Sequence, residues 1–201
     1  SFKQMMHYIV NAFGAACKRL FTCPAQNAPH NFPHGTYTVR EVIRLKKDAW
    51  KPYVLFIGLT EGVGALSGWL TREGVKASAN VPKSPLTPPA AVFPVVWASL
   101  FALLGIGAAR VYDTPPSPER SRALRLFAVQ LAVNFVWSPL YFEQRAYGFA
   151  FLWLCLLWLL ILLMTLSFRR VDRTAALLQL PYLIWTAFAG YLNLTTWLLN
   201  R

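Results

Sequence analysis

Acidic side chains are scarce in this chain of 201 residues: 8 Asp and Glu stand against 20 Lys and Arg, and charged residues of both signs make up only 14%. Soluble domains carry roughly 25%, so a soluble globule is excluded. Cysteine is equally sparse. Cys17 and Cys23 fall in a polar N-terminal stretch and Cys155 in an apolar run, a spacing that suits neither a disulfide nor a metal and reads as three free thiols. Of the three His, His30 and His34 flank Pro33 in a linker and His7 stands alone, so no haem or metal site is expected. The residues offer no Ser-His-Asp set, paired carboxylates or phosphate-binding loop, and give no internal sign of an enzyme. The 14 Pro and 11 Gly have no period, which removes a collagen-like repeat, and the apolar content removes disorder.

What is abundant is hydrophobic surface: 56% of the residues, with a mean hydropathy of +0.39. Five apolar runs, 53–70, 90–112, 124–142, 147–168 and 175–199, approach or exceed the length that crosses a hydrocarbon core of about 30 Å at 1.5 Å per residue. Helices satisfy their own backbone groups in lipid, so the fold class expected is all-α, an integral membrane bundle of five transmembrane helices. Fifteen of the 20 Lys and Arg fall in the N-terminal segment and the second and fourth connections, leaving Arg72, Lys76, Lys83, Arg145 and Arg201 for the other side. That bias supports an odd number of spans with the N-terminus on the positive face, matrix or cytoplasmic. The net charge of +12 sits beside apolar runs without any nucleic-acid motif, so membrane lipid is the expected partner and nucleic acid is not.

Two units follow: an extension, 1–52, and the five-helix domain, 53–201. In the extension Phe2, Met6, Ile9, Phe13, Ala16 and Leu20 recur at three- and four-residue steps, as in an amphipathic helix lying in the interface. A linker, 24–33, precedes a basic juxtamembrane helix, 39–50, opened by Thr38 and Glu41 as a capping box and ended by Pro52. The chain opens at Ser1 on a basic, acid-poor stretch without the apolar core of a secretory signal. Either a transit-type presequence or a retained interfacial helix fits it.

Inside the spans, polar and aromatic residues share faces. Gln130, Asn134, Trp137 and Tyr141 follow one another by four, three and four residues, and Trp185, Ala189, Asn193 and Trp197 by four each. Amides lose hydrogen bonds in lipid, so these stripes are expected to turn inward, either joining helices or lining a pocket for a flat, largely apolar ligand; spacing alone leaves both open. Phe93, Trp97 and Phe101 share a third face behind Pro88 and Pro89. Trp50, Trp69 and Trp197 suit interfacial belts, whereas Trp153 and Trp158, on the uncharged fourth run, are expected to face lipid or a partner. Glu61 is the one acid well inside a run, functional or else neutral and hydrogen-bonded. Gly62, Gly64 and Gly68 beside it would admit close helix contact.

Three blocks, in order on five spans, give the chain a family likeness: Pro88-Pro89-Ala90-Ala91-Val92-Phe93-Pro94-Val95-Val96-Trp97, then Gln130-Leu131-Ala132-Val133-Asn134-Phe135-Val136-Trp137-Ser138-Pro139, then Pro181-Tyr182-Leu183-Ile184-Trp185 with Ala189 and Leu192-Asn193. From about 53 to 200 the chain resembles the translocator protein family, also called tryptophan-rich sensory proteins, and most of all its alphaproteobacterial members. The resemblance implies a five-helix fold, often dimeric, that binds porphyrins, sterols or benzodiazepine-type compounds between its helices, with no cofactor required. Carried over by motif, its ligand-binding residues would be Trp97, Asn134, Trp137, Trp185, Ala189 and Asn193. Two positions depart from the family pattern. Leu86 stands where an aromatic usually precedes the double proline, and Tyr191 lies far from Arg201, the nearest basic residue of a C-terminal sterol pattern.

The leading expectation is therefore a membrane protein that sequesters or presents a tetrapyrrole or sterol-like ligand without covalent chemistry. The alternative is an accessory subunit of a larger membrane assembly, mitochondrial in this reading, that reuses the fold and meets its partners, or a second copy, through residues 1–52 and the fourth span. A bacterial inner membrane is the other location considered. Photochemical porphyrin degradation, suggested for some family members, ranks third.

Overall fold

A computed structural model describes residues 50–201. The amphipathic stretch, the linker and the basic juxtamembrane stretch expected before Trp50 lie outside the described residues. Seven helices follow: α1 (Lys51–Leu70), α2 (Arg72–Ala77), α3 (Val92–Tyr112), α4 (Pro118–Ser138), α5 (Tyr147–Val171), α6 (Arg173–Leu177) and α7 (Leu180–Leu199). A 3-10 turn, Ser78–Asn80, follows α2, and a wider π-turn, Pro139–Glu143, continues α4. Five segments are long and apolar enough to cross a membrane: α1, α3, α4 with its π-turn, α5, and α6 with α7. The all-α five-span bundle expected from hydropathy is the fold.

Local chemistry sets the helix starts. Pro52, Pro118 and Pro181 stand in the first turns of α1, α4 and α7, where a missing N–H costs nothing. Ser117 accepts the Arg120 backbone N–H at 3.0 Å, and Asp172 accepts that of Ala175 at 2.8 Å, which caps α4 and α6. Because of the Ser117 cap, α4 begins at Pro118 rather than at 124, its polar first turns projecting beyond the apolar run. The last run, expected as one helix over 175–199, is broken between α6 and α7. Gln179 sits at the break with its Nε2 donating to the Ala175 carbonyl at 3.1 Å, against α3 at Gly107, where a Cβ would come within 2.3 Å of that nitrogen.

Packing is closest between α1 and α3. A Cβ on Gly105 would lie 2.7 Å from the Ile57 Cα, so only glycine admits this approach, and the Thr60 hydroxyl lies 2.8 Å from the Phe101 carbonyl it can donate to. Of the three glycines expected to serve close contact, only Gly64 does, under the Phe101 ring; Gly62 and Gly68 have nothing within 4 Å because that side of α1 faces outward. Glu61 is half-buried and has no hydrogen-bond partner among the described residues. Leu104, Phe127, Leu131, Leu154, Leu157 and Phe168 form the buried centre.

The two ends of the bundle are tied differently. At one, Arg110 of α3 reaches Asp172, between α5 and α6, at 2.8 Å. At the other, Glu143 accepts the Gly74 N–H at 3.1 Å and pins α2, while the loop before α3 lies along the end of α7 through Ser84 with Tyr191 (3.3 Å) and Asn200 with the Pro82 carbonyl (3.0 Å).

Candidate functional site

The expected faces of α4 and α7 do turn toward each other. Gln130, Asn134 and Trp137 are buried, as are Tyr182, Thr186, Ala189, Asn193 and Thr196 opposite them. Three rungs of side-chain hydrogen bonds cross between the helices. In the deepest, the Tyr182 hydroxyl donates to Gln130 Oε1 at 3.1 Å and accepts from Asn134 Nδ2. In the middle rung the Trp137 indole donates to Asn193 Oδ1 at 3.3 Å, and Asn193 Nδ2 donates onward to the Tyr147 carbonyl at 2.8 Å. In the last, the Tyr141 hydroxyl donates to Thr196 at 3.1 Å. An amide bonded on both edges in this way holds helices together and presents nothing to a ligand.

Rings fill the space beside these rungs. Trp97 of α3 packs on Trp137 (centroids 6.5 Å apart), on Tyr182 (6.2 Å) and on Phe101 (5.6 Å), so it closes the interior from the α3 side. Trp137 also stacks on Tyr141 at 5.3 Å. Trp185 does not join them. It meets Phe93 at 5.9 Å and Phe188 at 5.6 Å, and together with Val96, Leu100, Pro181, Ile184 and Phe188 it lines a laterally open, apolar groove of about 590 Å³ between α3 and α7.

The six expected site residues therefore divide. Asn134, Trp137 and Asn193 belong to the hydrogen-bonded interior, Ala189 is buried beside them, Trp97 borders that interior, and Trp185 belongs to the groove. Residues spaced by four along a helix of 3.6 per turn drift about 40° at each step, so a stripe drawn from Trp185 to Trp197 winds around α7; Trp197 ends 37% exposed. The inward set is instead Tyr182, Thr186, Ala189, Asn193 and Thr196. Tyr182, at the centre of the deepest rung, went unnoticed by spacing although it stands seven residues before Ala189 and three before Trp185.

Among the buried donors that lack a partner in the described residues, two lie here: Gln130 Nε2 in the interior and Trp185 Nε1 beside the groove. Such groups are uncommon because an unmade bond costs about 1–3 kcal/mol, and in a binding protein they mark where a ligand atom can accept. Trp153 and Trp158, expected to face lipid or a partner, keep their rings partly outward, Trp158 at 37% exposed, while their N–H groups donate inward to the Val133 carbonyl of α4 at 2.8 Å and the Leu183 carbonyl of α7 at 3.1 Å, because an indole N–H finds no acceptor among acyl chains. Trp50 and Trp69 are 59% and 60% exposed at the two ends of α1, where belt residues stand.

A family model described as the TspO/MBR family matches residues 56–198. The chain is 36% identical over 148 residues to the tryptophan-rich protein TspO of Chlorobaculum tepidum, which covers 73% of this chain and 94% of that protein. It is 35% identical over 155 residues to the translocator protein of Bos taurus, covering 76% and 92%, and 35% identical over 151 residues to the tryptophan-rich sensory protein of Cereibacter sphaeroides, covering 75% and 92%. Bacterial and mammalian relatives thus stand at near-equal distance, and each matches nearly end to end. With its five spans, its α4–α7 amide and indole ladder and these matches, the chain belongs to the TspO/MBR family of integral membrane proteins.

Proposed function

We propose that this protein binds a flat, largely apolar ligand, tetrapyrrole or sterol-like in shape, in the groove between α3 and α7, and holds it without covalent chemistry. The observation that carries this reading is Trp185: a broad indole face on an apolar groove whose volume is of ligand size, with a buried N–H that has no acceptor of its own. Phe93 and Phe188 flank it and extend the stacking surface. Trp97 stands at the boundary between groove and interior, so a ligand wider than the groove would have to displace it from Trp137. Asn134 and Asn193 act in this reading as supports that fix the walls. The location that goes with it is a mitochondrial membrane, with residues 1–52 on the basic face.

The test is a titration of protoporphyrin into the purified full chain, followed by tryptophan quenching. Saturable quenching, weakened about tenfold or more in Trp185→Ala, is expected, since a stacked aromatic contributes about 0.5–1.5 kcal/mol on top of the apolar area that the indole buries. Absence of saturation, or unchanged affinity in that variant, refutes the reading.

A second reading is favoured by the filled interior: with Asn193 bonded on both edges and Trp97 lodged against Trp137, the bundle also suits an accessory subunit whose fold serves packing. Removing residues 1–50 separates the two. Loss of co-purifying proteins with porphyrin binding intact supports the subunit, and the reverse supports the receptor.

A further inference from the structure

The corner between α5 and α6 gathers more positive charge than the fold requires. Asp172 is its one carboxylate among the described residues, and both oxygens are committed: Oδ2 to Arg110 at 2.8 Å and Oδ1 to the Ala175 N–H at 2.8 Å. Arg169 and Arg170 close α5 and Arg173 opens α6, all three exposed and none in an ion pair among the described residues. Arg110 Nε is buried without an acceptor. Four guanidinium groups thus stand at a corner that holds a single carboxylate among the described residues. The carbonyls ending α5 offset only part of that excess, about half a charge.

Below this corner runs an exposed apolar surface. Leu152, Leu156, Leu159, Leu163 and Leu166 are each 41–64% exposed, and they follow one another at steps of four and three residues, ending at exposed Arg170 four residues beyond Leu166. That spacing keeps them on one face of α5, a straight apolar track with a guanidinium at its head. From Arg170 to Leu159 the track is about 16 Å long at 1.5 Å per residue, the depth of one leaflet. A planar guanidinium fork above a leucine track matches one kind of molecule. Its head is a phosphate and its tail is an acyl chain.

We infer that Arg110, Arg169, Arg170 and Arg173 form a binding site for the phosphate headgroup of an anionic phospholipid, whose acyl chain lies along Leu166, Leu163 and Leu159. This site is separate from the α3–α7 groove and stands whether or not that groove holds a ligand. Arginines at the ends of spans are also what orientation in the membrane demands. That demand explains their number, but it predicts no preference for one lipid over another.

The experiment uses the purified full chain in neutral detergent and reads the thermal unfolding midpoint as phosphatidylglycerol, phosphatidylcholine or inorganic phosphate is added at matched concentrations. Phosphatidylglycerol should raise the midpoint saturably, with phosphatidylcholine and inorganic phosphate giving little change. The Arg169→Gln/Arg170→Gln/Arg173→Gln variant should need at least tenfold more phosphatidylglycerol for the same rise over its own baseline, whereas Arg72→Gln/Lys76→Gln, at the opposite end, should respond like the parent. The parent's rise should also shrink at high salt, a readout that does not depend on any variant folding. Equal rises with phosphatidylcholine, an equal rise with inorganic phosphate, an unaltered response in the triple variant, or equal weakening in the Arg72/Lys76 control would each overturn the site.

Discussion

Replacing Tyr182 by Phe removes one oxygen from the middle of the bundle and leaves the ring, including its edge-on contact with Trp97 at 6.2 Å, in place. The residue is 1% exposed, so no water substitutes for the lost hydroxyl. Two bonds go at once: Gln130 Oε1 loses its donor and Asn134 Nδ2 its acceptor. Because Gln130 Nε2 is already unpartnered, the whole Gln130 amide would then be unsatisfied. Side-chain hydrogen bonds between membrane helices average about 0.6 kcal/mol and reach about 1.7, while an orphaned buried group in an aqueous core costs about 1–3. Tyr182→Phe is therefore expected to destabilise the fold by about 1–3 kcal/mol. Reversible unfolding in mixed micelles, followed by near-ultraviolet dichroism of the tryptophans, measures this, and a cycle with Asn134→Leu isolates the shared bond, with a coupling of at least about 0.5 kcal/mol expected. A single variant as stable as the parent together with zero coupling would show that the α4–α7 rung is not formed.

Three further outcomes follow from the packing and the ends of the bundle. Gly105→Val should destabilise by at least about 1–3 kcal/mol by forcing α1 from α3, whereas Gly62→Ala, with nothing within 4 Å, should leave stability equal or higher; the same unfolding assay reads both. Burial alone would raise the Asp172 carboxyl, but the Ala175 N–H and Arg110 outweigh it and hold the group below the usual carboxylate range. Its stabilising contribution is thus complete above an ordinary Asp pKa of about 3.9 and is lost as the pH falls below that, so Asp172→Asn, which keeps a capping side chain, should flatten the acid limb of the stability profile and lower stability at neutral pH. Trp153→Phe should cost about 0.5–1.5 kcal/mol through the lost bond to the Val133 carbonyl, visible as a shift in unfolding midpoint without change in oligomer size.

Five spans were legible from run length because the bilayer imposes one scale on every crossing segment, and charge placement added the odd count. The inward turn of Asn134, Trp137 and Asn193 was legible for a related reason: amides and indole N–H groups have few places to go in hydrocarbon. What hydropathy could not convey was the rotation of α7, since a ladder read in steps of four misses Tyr182 and carries Trp197 outward. Nor could it show that of Gly62, Gly64 and Gly68 only Gly64 meets a neighbour and that Gly105, on the partner helix, makes the other close approach, because glycine content tells nothing of which face meets a neighbour. Trp153 and Trp158 illustrate the same point from the other side. Their rings lie partly toward the outside, yet their N–H groups reach inward to carbonyls that only the tertiary arrangement supplies.

The π-turn at the end of α4 sets the register of everything past it. Pro139 has no N–H to give the Phe135 carbonyl, and the chain responds by widening, with Gln144 bonding back to the Pro139 carbonyl at 3.1 Å. The widened turn holds one residue more than an α-helical turn would. Winding the same residues as an ordinary α-helix, as Pro139→Ala permits, would swing each later side chain by about 100°. Glu143 would then point away from the Gly74 N–H, and α2 would lose the carboxylate that anchors it to this end of the bundle. A small spacer in the backbone thus serves as the key that locks a surface helix in place from across the membrane domain.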